Sequence, residues 1–397
     1  MIDFAKTIET FREHVPAAEE QVYLLSASTG LVPDFVYDGV RRYLDDRYRR
    51  GGDSVWHYDD GDVGTLGMLQ KSKEALGAIL HCAPDCIAFG QSATQMFTMV
   101  TEGIDYPAGA NLVTVGKGWI GNRYAWQKRE AEGLSVRYVL PENGVVTAEQ
   151  VIVCCDEHTA AVTVNLVEST TGYRIDVNQL GTFCRQHGIL LFVDAVQAVG
   201  ALQVDIQKAG IDFLVGNDYK WMMNFCGTGY AYISPEVQKK IRHWGAGWMS
   251  DQDRFDTSKD HLELRKDAGR FEIGYPHADG IYGMGLVAMQ AQLLGPEKVE
   301  AYVLGLADIF RQRVEETEGI CCTYDIPQER RSQIVSVKID DALHLTNEDF
   351  KAAGVAVPGL GKKSGSGESE MRLSFHYYNN QEDIDRFFAV IQAAKRQ

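Results

Sequence analysis

The sequence of 397 residues lacks the features that would place the protein in a membrane or on nucleic acid. No apolar stretch reaches the roughly 18 residues that a helix needs to cross a bilayer. There is no long basic run, and the formal net charge is −16. These absences argue against nucleic acid and against a membrane as partners. The N-terminus mixes both charge signs and has no apolar signal core, so we predict an amphipathic helix there and a soluble, cytoplasmic protein.

Paired cysteine motifs are also missing. Eight cysteines are present, but none belongs to a paired CxxC pattern, and no histidine pair lies near them. We therefore expect no structural metal and interpret these residues as buried or incidental thiols. They are Cys82, Cys86, Cys154, Cys155, Cys184, Cys226, Cys321 and Cys322.

The sequence has no repeats and no low-complexity tract. From about residue 68 to 235, helical patterns alternate with short apolar runs such as "NLVTVG", "ILLFVDA" and "FLVGN". This alternation is typical of βαβ units and predicts an α/β fold with a mostly parallel sheet and helices on both faces. After residue 286, two long helical patterns, two strand-like pieces and a closing helix predict a smaller α+β domain. The predicted division is an N-terminal helical segment (1–20), a large domain (21–285) and a small domain (286–397).

Polar residues follow the predicted strands, and ligands of parallel sheets gather at the carboxyl ends of strands. One of these residues, Lys220, stands alone between the apolar run "IDFLVG" and the glycine-rich "GTGYAYIS". Burial at such a place disfavours the charged amine, and a neutral amine can attack carbonyl groups. The strand-end groups are residues 92–94, 119–122, 165–172, 194–197 and 217–220.

A second strand-end group contains Asp194 and Gln197. Taken alone, the aspartate suits a helix N-cap, and Lys220 suits a surface position. Taken together, the aspartate and the lysine suggest a pyridine cofactor, with Asp194 on the ring nitrogen and Lys220 on the aldehyde. Thr94 and the backbone of Ala93 precede an apolar helix, where they either cap the helix or hold a phosphate.

In their chain order, several motifs resemble the class V aminotransferases. This group of fold type I pyridoxal phosphate enzymes includes cysteine desulfurases, selenocysteine lyases, kynureninases and isopenicillin epimerase-like proteins. The resemblance covers roughly residues 20–390. It implies the fold of the group, a pyridoxal 5′-phosphate cofactor and a homodimer with active sites near the subunit interface. The motifs are "SAT" at 92–94, "TTG" at 170–172, "VDAVQAVGALQVD" at 193–205, "DYKW" at 218–221, "RFEIGYP" at 270–276 and "RLSFHYYNNQEDIDRF" at 372–387.

The resemblance implies a role for each matching residue. Lys220 matches the lysine that carries the cofactor and serves as the base, and Asp194 matches the partner of the ring nitrogen. Gln197 matches the donor to the ring hydroxyl, while Thr94 and Ala93 match the phosphate cradle.

Further matches concern the cofactor ring and the substrate. Trp119 lies where relatives stack a histidine or phenylalanine on the ring, and an indole stacks well there. Arg372 matches the arginine that binds the substrate carboxylate, and Ser169 is a second substrate-binding candidate. The remaining cofactor-binding candidates are Asn217, Tyr219 and Tyr275.

The sequence departs from desulfurases at several of these positions. Tyr219, Asn217 and Tyr275 replace the histidine, serine and small hydroxyl residue that are usual there. Residues 353–371 contain no cysteine, whereas desulfurases place their persulfide-forming cysteine in this region. We therefore expect a β-eliminating C–S lyase of the desulfurase-like branch that releases its leaving group directly.

Other reactions fit the same core motifs. Transamination is the leading alternative, and epimerisation and kynureninase-type hydrolysis are further ones. A protein that keeps the fold only to bind a ligand is disfavoured, because it has no need to retain the lysine, aspartate, glutamine and arginine together. Trp56, His57 and Trp248 suggest an aromatic-lined substrate site, and the polar segment 359–370 is predicted to be a mobile loop.

Overall fold

The computed structural model describes residues 2–51, 65–242, 245–362 and 368–396. The strands of these residues are β1 (Val22–Tyr23), β2 (Ile87–Gly90), β3 (Asn111–Val115), β4 (Ser135–Val139), β5 (Thr159–Asn165), β6 (Leu190–Asp194), β7 (Phe213–Asn217), β8 (Gly229–Ile233), β9 (Ile320–Cys322), β10 (Ile334–Asp340), β11 (Val355–Ala356), β12 (Gly361–Lys362) and β13 (Glu368–Ser374).

The α-helices of the same residues connect and cover these strands. They are α1 (Pro16–Glu20), α2 (Asp34–Arg50), α3 (Thr65–Leu80), α4 (Ala93–Gly103), α5 (Ile120–Ala131), α6 (Ala148–Val153), α7 (Val177–His187), α8 (Ile206–Ala209), α9 (Pro235–Lys240), α10 (Ala278–Leu294), α11 (Pro296–Glu315), α12 (Asn347–Ala352) and α13 (Gln381–Ala394). None of these helices is both long and apolar enough to cross a membrane.

The central sheet has the strand order β2-β8-β7-β6-β5-β3-β4. Strands β3 to β7 pair in parallel, and only β8 runs antiparallel, to β7 and to β2. Every residue of β6, β7 and β8 is buried, as expected for strands covered on both faces. The α/β prediction is therefore confirmed, because the apolar runs of the sequence are these doubly covered strands.

Two apolar layers lie on the two faces of this sheet. Along β6, Phe192 belongs to one layer with Phe97 and Trp126 of α4 and α5, while Leu191 and Val193 belong to the other. The second layer contains the buried faces of α2, α3, α7 and α10. Because successive strand residues point to opposite faces, one strand serves both layers.

A separate four-stranded sheet forms near the C-terminus, with the order β12-β13-β10-β9 and only antiparallel pairing. Phe310 of α11 lies at the centre of its core, with the rings of Phe375, Phe387 and Phe388 each 5.2 Å from its own. The N-terminal segment contributes to this core, because β1 pairs with β11 and Val22 is buried there.

Two local predictions differ from the structure. The N-terminal amphipathic helix is wrong as predicted, because the segment contains only a 3₁₀ turn, Phe11–His14, followed by the short α1. In the predicted loop 359–370, Gly361 and Lys362 pair with Glu370 and Ser369 as β12 and β13, while residues 363–367 lie outside the described residues. The predicted boundary at 285/286 falls inside α10, and the domain division stays a prediction.

Candidate active site

Most sequence-predicted site residues of the large sheet lie along the edge where β5, β6 and β7 end. Asp194 is the last residue of β6 and stands beside Asn165, the last residue of β5. Asn217 ends β7, and Lys220 follows it by three residues. Because parallel strands end at the same edge, residues far apart in the sequence meet at one place.

Lys220 is partly buried at this edge. Its Nζ lies 5.8 Å from the ring centroid of Trp119 and 5.9 Å from that of Tyr219. The pKa of Lys220 is lowered to about 8: loss of solvation lowers it most, the Asp194 carboxylate opposes this, and the positive charge of Arg372 adds a smaller lowering. Near neutral pH the uncharged, nucleophilic form of this amine is therefore more populated than in an exposed lysine, although the ammonium form still predominates.

Asp194 is buried, and both carboxylate oxygens accept hydrogen bonds. One accepts from the side-chain amide of Asn122 at 2.6 Å, and the other from the backbone N–H of Val196 at 2.9 Å. Burial raises the pKa of Asp194, opposed by these two hydrogen bonds and by the charge of Lys220. A cationic N–H donor placed next to this buried carboxylate would stabilise its charged form.

The turn that carries Lys220 is held by its neighbours. Gln197 accepts a hydrogen bond from Nε1 of Trp221 at 2.9 Å and donates one to the carbonyl of Ala27, also at 2.9 Å. Gly30 donates its backbone N–H to the carbonyl of Tyr219 at 2.8 Å. A Cβ at Gly30 would lie 2.0 Å from the carbonyl oxygen of Lys220, so only glycine permits this close approach.

The start of α4 also lies close to Trp119. Ser92 caps this helix by accepting a hydrogen bond from the N–H of Gln95 at 3.1 Å. The Thr94 side chain is exposed there, and a Cβ built on Gly121 would lie 2.7 Å from Nε1 of Trp119 and 3.2 Å from Oγ1 of Thr94. The indole, the hydroxyl and the first amides of the helix therefore border one space, which suits an anion.

Arg372 of β13 approaches the same edge from the small sheet. Its guanidinium donates to the backbone carbonyl of Ser169 at 2.9 Å and to the hydroxyl of Ser28 at 2.7 Å. Burial lowers the pKa of Arg372, opposed by the charge of Glu168. Ser169 thus contacts the arginine through its main chain, and its hydroxyl lies 3.4 Å from Oε1 of Glu168.

The other predicted residues lie at varying distances from Lys220. Asn217 is buried at the end of β7, and its side chain lies close enough to Tyr219 to oppose the rise in the Tyr219 pKa that burial causes. Tyr275 is 48% exposed and lines a groove that also contains Gln91 and Cys226. Trp248 is exposed and its ring lies 6.0 Å from that of Phe255. Trp56 and His57 lie outside the described residues.

Sequence reasoning assigned no role to three residues that shape the site. Asn122 lies in a strand-end group, so its bond to Asp194 was open to prediction. Ser28 and Gly30 belong to the N-terminal segment, and no local pattern indicates that it returns to the end of β7. Their contacts depend on the tertiary fold alone.

The site combines groups that act on carbonyl and carboxylate compounds. An amine with a lowered pKa, a buried carboxylate, an indole, a helix start and a guanidinium lie at this edge of the sheet. This set fits a flat aromatic cofactor with a cationic ring nitrogen and an anionic tail, together with a carboxylate substrate. Within the described ranges, no group of three His, Cys, Asp or Glu side chains is arranged to hold a metal ion.

Titration of Lys220 in the cofactor-free protein tests these electrostatics. Competitive acetylation followed over pH should give a midpoint of about 8 for Lys220, because only the neutral amine reacts. Asp194→Asn should lower the midpoint, since it removes a charge that favours the ammonium form, and Arg372→Met should raise it. A Lys220 midpoint at the ordinary lysine value of about 10.4 would contradict the desolvation.

Known proteins share this sequence pattern and this fold. The chain is 26% identical over 394 residues to a probable cysteine desulfurase of Methanothermobacter thermautotrophicus, with 95% of each chain covered. Its structure matches that of a cysteine desulfurase from Thermococcus onnurineus with a TM-score of 0.82 and 20% identity over all of both chains. It also matches C-DES carrying glycine covalently linked to its PLP cofactor, with a TM-score of 0.82, 18% identity, and 96% and 98% of the two chains covered.

The family comparison gives a result that covers most of the chain. The sequence model described as aminotransferase class V matches residues 22–387. This range includes Lys220, Asp194 and Arg372, together with the other sequence-predicted site residues. The chain belongs to the class V aminotransferase family.

Proposed function

We propose that this protein is a pyridoxal 5′-phosphate (PLP)-dependent enzyme acting on an amino acid. The observation that carries the proposal is the partly buried amine of Lys220, which is coupled electrostatically to Asp194 and Arg372. An amine can carry the cofactor aldehyde, a carboxylate can pair with its ring nitrogen, and a guanidinium can bind the substrate carboxylate. Membership of the class V aminotransferase family supports the same conclusion.

The described residues fit this cofactor at each of its polar groups. Asp194 is a buried carboxylate that suits the ring N–H, and Gln197 retains one amide N–H beyond the bond to Ala27. The exposed hydroxyl of Thr94 and the first amides of α4 suit the phosphate. The indole of Trp119 suits the face of the ring.

When bound, PLP draws electrons from the Cα atom of the attached amino acid and makes its Cα–H acidic. Arg372 holds the substrate carboxylate by charge-assisted hydrogen bonds and thereby orients the Cα–H bond. Nζ of Lys220 would accept the Cα proton of a substrate held in this way. Its lowered pKa favours this step, because the amine must be neutral to act as a base.

For the reaction, we propose β-elimination of a sulfur leaving group. The Cα–H proton passes to Lys220, the Cβ–S bond breaks, and the sulfur departs with the electron pair of that bond. Addition of water to the remaining three-carbon unit yields pyruvate and ammonia, so that one water is consumed for each thiol released. The missing cysteine in residues 353–371 supports direct release. C-DES, the cystine C–S lyase whose reaction product is cysteine persulfide, is a structural neighbour with a TM-score of 0.80.

Transamination is the second candidate, because the same amine, carboxylate and guanidinium suffice for it. In that reaction Lys220 would deliver the proton it took from Cα to another atom of the bound amino acid and cofactor, and no bond to a β-substituent would break. The products separate the candidates: elimination yields pyruvate, ammonia and a thiol, whereas transamination yields the keto acid of the substrate and needs a second keto acid. Epimerisation and kynureninase-type cleavage leave neither set of products.

We further propose that the enzyme is a cytoplasmic homodimer. The segment 245–277 exposes large apolar side chains, including Trp248, Phe255, Ile273 and Tyr275. Ile273 and Tyr275 line the groove beside the start of α4. Sedimentation equilibrium should give twice the chain mass of 44.2 kDa, and a mass of one chain at micromolar concentration would contradict this proposal.

Replacement of Lys220 tests the cofactor assignment. Wild-type protein incubated with PLP and reduced with borohydride should carry the cofactor on Lys220 by peptide mass spectrometry. Lys220→Ala should carry none and should lose turnover by at least 10²–10⁴-fold, which is roughly the contribution of a general base. Lys208→Ala, at an exposed position, is the matched control and should behave as wild type. An adduct on another lysine of the wild type would overturn the assignment.

A cysteine scan tests direct elimination. Each of the eight cysteines is replaced by serine, and sulfur release from cystine and β-thioether amino acids is measured beside pyruvate. A persulfide route needs a thiolate that can reach the substrate sulfur. Because residues 353–371 contain no cysteine, we expect full activity in every folded variant. Cys226→Ser is the critical variant, since Cys226 is exposed and lines the groove next to α4. A folded, PLP-loaded variant that loses sulfur release would instead favour a persulfide mechanism.

A further inference from the structure

His376 is a fully buried histidine two residues beyond the end of β13, the strand that carries Arg372. Its ring lies between two aromatic rings. The Tyr378 ring is nearly parallel to it, at 2° and 4.5 Å between centroids, and the Trp221 ring lies at 20° and 5.5 Å. This stacking fixes the plane of the imidazole.

The hydrogen bonds of His376 fix its protonation. Nδ1 accepts from the backbone N–H of Tyr377 at 2.9 Å, so the ring proton is on Nε2. Nε2 donates that proton to the backbone carbonyl of Trp221 at 3.2 Å. Burial lowers the pKa of His376 to about 3, so the ring stays neutral at physiological pH. The imidazole is therefore a permanent donor to one acceptor.

That acceptor belongs to the residue next to Lys220. The Trp221 indole is bound by Gln197, and its carbonyl is bound by His376. A Cβ at Gly200 would lie 2.3 Å from the same carbonyl oxygen, so the backbone of Gly200 packs directly against the Trp221 carbonyl. Trp221, the residue after Lys220, is thus held by hydrogen bonds to its indole and to its carbonyl and by the packing of Gly200.

We propose that His376 is a positioning residue that holds the amine of Lys220 at a fixed distance from the guanidinium of Arg372. It joins the turn that carries the amine to the end of the strand that carries the guanidinium. This inference rests on the proposed function, in which Arg372 holds the substrate carboxylate while Lys220 takes the adjacent Cα proton. The carboxylate and Cα are bonded to each other, so the amine and the guanidinium must keep a set separation.

Two substitutions distinguish the loss of the hydrogen-bond donor from the loss of the aromatic ring. His376→Phe keeps an aromatic ring between Trp221 and Tyr378 but has no donor for the carbonyl. His376→Gln loses the ring but keeps an N–H at the reach of Nε2. Tyr377→Phe is the matched control, because the adjacent hydroxyl of Tyr377 is buried and has no hydrogen-bond partner among the described residues.

Steady-state kinetics of the PLP-loaded enzyme give the first readout. For His376→Phe we expect kcat to fall about 10- to 100-fold with little change in KM, because Arg372 still binds the carboxylate while the base is misplaced. His376→Gln should stay within about threefold of wild type in kcat, as a restored hydrogen bond requires. Tyr377→Phe should match wild type.

Hydrogen exchange of the cofactor-free protein gives the second readout. The N–H of Met223 donates to the carbonyl of Lys220, and the N–H of Asn224 to that of Asp218, so both report on the turn. In His376→Phe these amides should exchange about tenfold faster or more, because the turn opens more readily. They should keep wild-type protection in His376→Gln.

Several results would overturn the positioning role. One is wild-type kcat and exchange in His376→Phe, and another is an equal loss of kcat in the Phe and Gln variants with exchange unchanged. If His376→Phe does not fold, the Gln variant decides alone: near-wild-type kcat and exchange support the role, and a loss of tenfold or more refutes it. A wild type that takes up no PLP would refute the proposed function, while the exchange readout would still decide the link between His376 and the turn.

Discussion

The site depends on the contact between the N-terminal segment 24–30 and the turn that carries Lys220. Gly30 bonds to the backbone of this turn and leaves no room for a Cβ beside the carbonyl of Lys220. On its other side the segment meets β13, where Ser374 accepts from the N–H of Ala27 and Arg372 donates to Ser28. This short segment therefore contacts both the turn with the amine and the strand with the guanidinium, and it sets the distance between the two groups.

This packing also accounts for the electrostatics of the site. Removal of water from Lys220 lowers its pKa, and burial of Asp194 raises the pKa of the carboxylate. Each group is thereby moved toward its neutral form, against the mutual attraction that favours the charged pair. A cofactor that brings a cationic ring nitrogen and an aldehyde would satisfy both residues, which is the physical basis for assigning PLP to this site.

The sequence predicted the large sheet well, because strands buried on both faces must be apolar and must be closed by turns or helices. The runs "ILLFVDA" and "FLVGN" predict β6 and β7 in this way. The prediction was wrong for the N-terminal segment. Its mixed charge signs and the lack of an apolar core predict an amphipathic helix, whereas Phe11 and Arg12 make contacts with Tyr377 and Asp383 far along the chain.

What the sequence determined by itself was the order of chemical groups: a strand-end aspartate, a lysine between two buried strands, and a late arginine. Side-chain chemistry and strand periodicity are local properties, so they can be read without the fold. The tertiary structure alone decided that Ser28 binds Arg372 and that His376 binds the turn after Lys220. These contacts join residues separated by 155 and 344 positions. No local pattern encodes them, because they form only when β13 and the residues after it pack against the N-terminal segment and the turn after β7.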